Sequence, residues 1–194
     1  MTACPGQQPE DGFRALFDGS AESVEDWRQA GPGGFRLQDC ALHSFGGLGL
    51  LWHQQPLEGP YELRVDWRVA GDDNSGVFVG FPEPGDDPQV AIDRGREVQV
   101  DATDVPAATT GAVYAVQAPD TAARDAALRP PGEWNTFAVR VVGRRVVVAL
   151  NGVRVNDYTE TEDGRLVVPG HVGLQNHGEG DDVSFRRVRV RDLD

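Results

Sequence analysis

The run Tyr61-Glu62-Leu63-Arg64-Val65-Asp66-Trp67-Arg68-Val69 alternates apolar and charged residues without a slip, a period of two that fits a β-strand and no helix. Tyr61, Leu63, Val65, Trp67 and Val69 are expected to face a core and the four charged residues solvent, as in an antiparallel sheet wet on one side. Shorter runs with the same alternation recur along the chain between turn signals, which its 24 Gly and 13 Pro supply. Long helical periodicity is missing. The expected class is therefore all-β, an antiparallel sandwich.

Trp134 to Val142, Arg145 to Leu150 and Val153 to Tyr158 read as a meander, with Gly143-Arg144 as one turn and Asn151-Gly152 as a type I′ hairpin signal. The last pair of strands is His171 to Asn176 and Val183 to Arg191. Val183 and Phe185 fall out of phase with Val188 and Val190, which predicts a bulge at Arg186 and Arg187. One short helix is expected, Thr121 to Leu128, opened by Asp120 and stopped by Pro130-Pro131. Residues 1–11 are expected to form a flexible N-terminal segment and residues 12–194 one domain, a length that suits a single hydrophobic core.

Several functions are excluded by composition. All 18 basic residues are Arg, so Schiff-base catalysis and the P-loop have no lysine to use. Against them stand 31 Asp and Glu, a net charge of −13 that repels phosphate backbones and argues against a nucleic-acid partner. The basic tract Arg186-Arg187-Val188-Arg189-Val190-Arg191 is read as the solvated face of an edge strand. Cys4 and Cys40 are too few for a disulfide scaffold, and a bridge between them requires an oxidising compartment. No run is long and apolar enough to span a membrane, and the first residues lack the basic and apolar regions of a signal peptide. Thr2-Ala3-Cys4 has the form of a lipoprotein cleavage remnant, in which case the protein is exported. There is no serine-hydrolase elbow, HExxH, CxxC, EF-hand or dinucleotide motif, and the four His are scattered.

Polar groups gather in four places. Glu97, Gln99 and Asp101 share one face of a strand whose other face holds Val98 and Val100; the plain alternative is a solvated sheet face. His171, Gly173, Gln175 and His177 share a face opposite Val172 and Leu174, and the small Gly173 is expected to leave room for a ligand. Asp72-Asp73-Asn74-Ser75-Gly76 reads as a turn. Arg129-Pro130-Pro131-Gly132-Glu133-Trp134 presents Trp134 either as a sugar platform or as a core aromatic.

Taken in order, a set of segments resembles the 3-keto-disaccharide hydrolase domain family, once known only as a domain of unknown function. They are Phe13-Arg14-Ala15-Leu16-Phe17-Asp18-Gly19 with Trp27, Tyr61-Glu62-Leu63 with Asp66-Trp67-Arg68, Asn74-Ser75-Gly76-Val77-Phe78, Glu97-Val98-Gln99-Val100-Asp101, Thr110-Gly111-Ala112-Val113-Tyr114, Pro130-Pro131-Gly132-Glu133-Trp134-Asn135-Thr136-Phe137, Leu150-Asn151-Gly152 with Asn156-Asp157-Tyr158, and Val172-Gly173-Leu174-Gln175-Asn176-His177-Gly178. The resemblance implies a concanavalin A-like lectin/glucanase sandwich, or jelly roll. Three positions depart from the family pattern. Val79-Gly80-Phe81 stands where many relatives carry an Arg, Cys40 where they commonly have Gly, and Arg129 where the usual residue is Lys.

The activity implied is cleavage of glycosides already oxidised at C3. The ketone acidifies the C2 proton, a base removes it, the enolate expels the C1 substituent, and water adds back. On this reading Glu97 is the base, His177 the acid or enolate stabiliser, and Asp101 orients one of them. Asn74, Gln99 and Gln175 bind sugar hydroxyls, Tyr114 and Trp134 form an apolar wall, and Arg129 adds a positive charge. A divalent metal ion held by some of Glu97, Asp101 and His177 is the alternative for the enolate work. The implied partners are an oxidised sugar and a sugar 3-dehydrogenase that supplies it. The rival readings are a non-catalytic carbohydrate-binding module and an interaction domain without a sugar site.

Overall fold

The strands expected from alternation pair into two antiparallel sheets in the computed structural model, which describes Cys4 and residues 10–193. In chain order the elements are β1 (Arg14–Phe17), α1 (Ala21–Val24), β2 (Trp27–Ala30), β3 (Gly34–Gln38), β4 (Ala41–Phe45), β5 (Gly49–His53), β6 (Tyr61–Val69), β7 (Ser75–Phe81), α2 (Gln89–Arg94) and β8 (Arg96–Val100). A 3₁₀ turn, Pro106–Ala108, then leads to α3 (Thr121–Ala127), β9 (Asn135–Val142), β10 (Arg145–Leu150), β11 (Val153–Thr159), β12 (His171–Asn176) and β13 (Val183–Asp192). One sheet runs β11-β10-β9-β6-β13-β4-β3 with β1 added against β13, and the other runs β2-β5-β12-β7-β8.

The core lies between the sheets. From the larger sheet come Leu63, Val65 and Trp67 of β6 with Val139 and Val148 of the meander; from the smaller come Val77, Val79, Val98, Val100, Val172 and Leu174. Period-two alternation assigns each of these residues inward, so the fold is the expected all-β antiparallel sandwich. The Asn151-Gly152 hairpin has both residues at positive φ, 49° and 88°, as a type I′ turn requires. Asp120 caps α3 by accepting the Ala123 N–H at 3.0 Å. Register along β13 shifts between Arg186 and Arg189, with Arg187 at φ 49°, which is the expected bulge. Two further short helices, α1 and α2, were not legible as periodic segments because neither spans two full turns.

Four other expectations are corrected. The charged face of β6 is not wet: Glu62 and Asp66 are buried, held by Arg64 and Arg191 on Glu62 and by Arg186, Arg187 and Arg189 on Asp66. For the same reason the basic tract is no edge. β13 pairs with β6, β4 and β1, and its arginines neutralise carboxylates on the neighbouring strand. Ser75 and Gly76 belong to β7 and not to the preceding turn. Gly173 leaves room for the protein and not for a ligand, since a side chain there would meet Leu50 Cδ1 at 2.7 Å.

Cys4 and Cys40 form a disulfide that joins the N-terminal segment to the β3–β4 turn. In that turn Asp39 and Cys40 both have positive φ, 48° and 61°, a conformation that favours glycine. Most of the segment expected to be flexible, residues 1–3 and 5–9, lies outside the described residues, as does Thr2-Ala3 of the expected cleavage remnant. Glu10 is ion-paired with Arg64 and Arg189. Among the described residues no helix is long and apolar enough to cross a membrane.

Candidate functional site

On the outward face of the smaller sheet, one half is closed and the other open. The closed half is a second apolar cluster in which Ala91 and Ile92 of α2 pack onto Leu50, Trp52, Phe78 and Phe81. His171 belongs to this half: it is buried against Trp52 and Phe81, and Nδ1 contacts the His53 carbonyl at 2.9 Å. The open half is a cavity of about 300 Å³ walled by Asn74, Glu97, Gln99, Tyr114, Gln175 and His177, with Leu48 and Ile92 adding apolar surface. That volume sits at the low end of the range for small-molecule sites.

Neighbouring strands supply these side chains. Glu97 and Gln99 project from β8 because Val98 and Val100 are taken into the core. Gln175 projects likewise from β12, between the core residue Leu174 and the buried Asn176. The segment after the 3₁₀ turn runs back along β8, with Gly111 N–H donating to Gln99 O and Tyr114 N–H to Glu97 O at 2.9 and 3.0 Å. This pairing delivers Tyr114, 44% exposed, to the cavity rim beside Glu97.

Glu97 is the most perturbed group in the site. It is 7% exposed, its Oε1 is buried without a hydrogen-bond partner among the described residues, and burial pushes its pKa up to about 8. Arg96, next in sequence, points to the other face, where it pairs with Glu160. The space occupied by the Glu97 carboxylate exists because β7 carries Gly76 alongside, where a methyl group would overlap Oε1. Gly76 is therefore part of the site, signalled in sequence only by a glycine between a polar turn and an apolar run.

Gln99 and Gln175 each present a buried Oε1 without a partner. For Gln99 the direction is set by a polar relay. The Asp101 carboxylate accepts from Asn74 Nδ2 at 3.2 Å, which turns Asn74 Oδ1 toward Gln99 Nε2 at 3.3 Å and leaves the Gln99 carbonyl free. Asp101 also accepts the backbone N–H of Thr103 and Asp104. It thus orients Asn74 and not Glu97 or His177, and Asn74, itself a wall of the cavity, in turn holds Gln99.

His177 is held by a residue that the sequence did not advertise. Its Nδ1 lies 3.1 Å from Asp181 Oδ2, so Nδ1–H donates and Nε2 is the free ring nitrogen. Asp181 Oδ1 accepts the Asn74 N–H at 2.8 Å, joining both arms of the site. The available signal was the Gly178-Glu179-Gly180 spacer, which lets the chain turn within four residues.

Two expected site residues are elsewhere. Trp134 is covered by the guanidinium groups of Arg68 and Arg186, 4.8 and 4.1 Å from its ring, on the outward face of the larger sheet. Arg129 donates to the Trp134 carbonyl and lines a separate cavity with Trp67 and Pro130. The expected metal set does not fit: among the described residues no three His, Cys, Asp or Glu side chains converge, and the Asp101 oxygens are taken by Asn74, Thr103 and Asp104.

Among curated proteins, none matches this sequence. A candidate glycosyl hydrolase from Parabacteroides distasonis has a similar structure, with a TM-score of 0.77 at 22% identity over 95% of each chain. The carbohydrate-binding module CBM66 from Bacillus subtilis gives a TM-score of 0.61 at 12% identity, over 86% of this chain and 96% of that one. The VIP36 exoplasmic/lumenal domain in its Ca²⁺/Man3GlcNAc-bound form gives 0.60 at 17% identity, over 96% and 90%. At these identities the likeness is one of fold, the lectin-type sandwich. The sequence itself goes further, matching the 3-keto-alpha-glucoside-1,2-lyase-like domain over residues 12–191, and the chain belongs to that family.

Proposed function

We propose that this protein cleaves 3-keto-glycosides by elimination and hydration at the Glu97 cavity. The observation that carries the reading is a buried carboxylate without counter-charge beside two unpartnered amide oxygens. Family membership supports a carbohydrate-active role. A binding module needs acceptors for hydroxyls but no carboxylate that burial holds near pKa 8, and such a group is suited to proton transfer close to neutral pH.

In the proposed reaction ionised Glu97 takes the proton from C2, and the electrons of that C–H bond form the C2–C3 enolate. The enolate re-forms the C3 ketone as its electrons make the C1–C2 double bond and the C1–O bond breaks. His177, protonated at Nε2 and aligned by Asp181, gives the departing oxygen its proton. Water then adds across C1 and C2, hydroxyl to C1 and proton to C2, which releases the free 3-keto sugar. The Gln99 and Gln175 carbonyls accept hydroxyl donors of the sugar, and Tyr114 covers the ring at the rim. A C3 ketone arises by oxidation, so a sugar 3-dehydrogenase is the class of enzyme that supplies the substrate.

The test is reaction in deuterated water. Elimination and hydration put deuterium at C2 of the recovered 3-keto sugar, above a control of product incubated without protein. Cleavage without C2 label rejects the mechanism, and glucoside binding without cleavage supports the binding module.

A further inference from the structure

We infer that the leaving group occupies a second cavity on the far side of Glu97, and that this cavity selects a neutral aromatic aglycone over a second sugar. The inference rests on Glu97 acting at C2. The second cavity, about 210 Å³, shares Ile92, Glu97 and Tyr114 with the first. A base at C2 stands next to C1, the atom that carries the leaving group. A sugar ring seated against Gln99 and Gln175 therefore directs its C1 substituent past Glu97 into the adjoining space.

The two cavities differ in how many buried acceptors they leave without a partner. The first holds three buried acceptor atoms without partners, on Glu97, Gln99 and Gln175, as a ring bearing several hydroxyls requires. In the second, of the described lining residues only the shared Glu97 has such an atom. Apart from Glu97, its charges are already matched: Arg165 Nε is 2.7 Å from Glu162 Oε2, Arg165 Nη1 donates to the Ile92 carbonyl at 2.9 Å, and the Arg96 guanidinium is turned away to Glu160. Phe78 and Ile92 form an apolar base, with Tyr114 and Val116 at the opening. A hexose in this space would leave its hydroxyls facing apolar surface and satisfied ion pairs, whereas a phenyl ring matches both.

The test compares phenyl and methyl α-glucosides, first as inert ligands by calorimetry and then as 3-keto substrates. Wild type is expected to bind the phenyl compound about 10-fold more tightly. Val116→Asp changes an exposed rim residue (40% accessible) outside the catalytic machinery, and is expected to remove that preference while leaving methyl glucoside binding unchanged. Equal affinities in wild type, no detectable phenyl glucoside binding, or equal loss for both ligands in Val116→Asp would each overturn the inference. If the phenyl preference holds and Val116→Asp removes it while neither 3-keto-glucoside is cleaved, the elimination reading fails and the aromatic subsite stands. If both 3-keto substrates are cleaved with no phenyl preference in KM, the subsite fails and the elimination reading stands.

Discussion

Replacing Glu97 by Gln should make the folded protein more stable, and increasingly so as pH rises. Burial raises the Glu97 pKa from 4.5 to about 8, so across that window the folded protein retains a proton that the unfolded chain has released. The unfolded state binds fewer protons there, and stability falls with rising pH until it levels off above the folded pKa. At about 1.4 kcal/mol per pKa unit, the shift from 4.5 to about 8 sets an upper bound of roughly 5 kcal/mol lost across the window. Gln has nearly the same shape and does not titrate. Urea unfolding of both proteins at pH 5, 7 and 8.5 should give a stability difference that grows with pH toward several kcal/mol in favour of the variant. The other carboxylates cancel in that difference. The same variant should lose about 10²–10⁴-fold in turnover of a 3-keto-glucoside, and wild-type kcat/KM should rise with pH through about 8 as Glu97 ionises. Parallel stability profiles for the two proteins would refute the claim that Glu97 is buried without compensation, whatever happened to activity.

Gly76→Ala places a methyl group against the Glu97 carboxylate; it should cost about 1–3 kcal/mol in urea unfolding and reduce turnover without removing any catalytic group. Asp181→Asn keeps an acceptor for the Asn74 N–H but removes the carboxylate that holds His177 Nδ1, so kcat should fall about 10-fold or more, measured by steady-state turnover of a 3-keto-glucoside. Reduction of the Cys4–Cys40 bridge, a sequence separation of 36, should lower unfolding free energy by about 4 kcal/mol, measured by urea titration with and without reductant.

Much of this molecule was legible because alternation is a local property. Val98 and Val100 had to share a face, which placed Glu97 and Gln99 together on the other, and the same reasoning applied to Leu174 and Gln175. What failed depended on which strands become neighbours. The Arg186–Arg191 tract looked like an edge because nothing local reports that β13 lies between β6 and β4. Trp134 and Arg129 are close in sequence to strand residues of the core, yet Trp134 is covered by arginines of the larger sheet and Arg129 lines a cavity separate from that of Glu97. Gly76 and Asp181 were missed because each acts through a contact with a residue on another segment, Glu97 in one case and Asn74 in the other.

The two outward sheet faces show how the same residue type is put to different use. On the larger sheet Glu62 is buried, which opposes its charge, but hydrogen bonds from Arg64 and Arg191 outweigh that and hold its pKa below the ordinary carboxylate value. Glu160, facing the same opposition from burial, is bound by Arg96 and lies at about 2. Glu97 alone among these three has no arginine, and it is the one pushed up to about 8. A chain whose basic residues are all Arg has planar, multidentate partners suited to buried carboxylates. Leaving one unpaired keeps a destabilising charge that Arg96, turned to the opposite face, is close in sequence but wrongly placed to relieve. A purely structural carboxylate at position 97 would gain stability from an arginine; a base must remain free to take a proton. On the proposed reading the missing partner, more than the carboxylate itself, is what distinguishes Glu97 from the paired carboxylates Glu62 and Glu160.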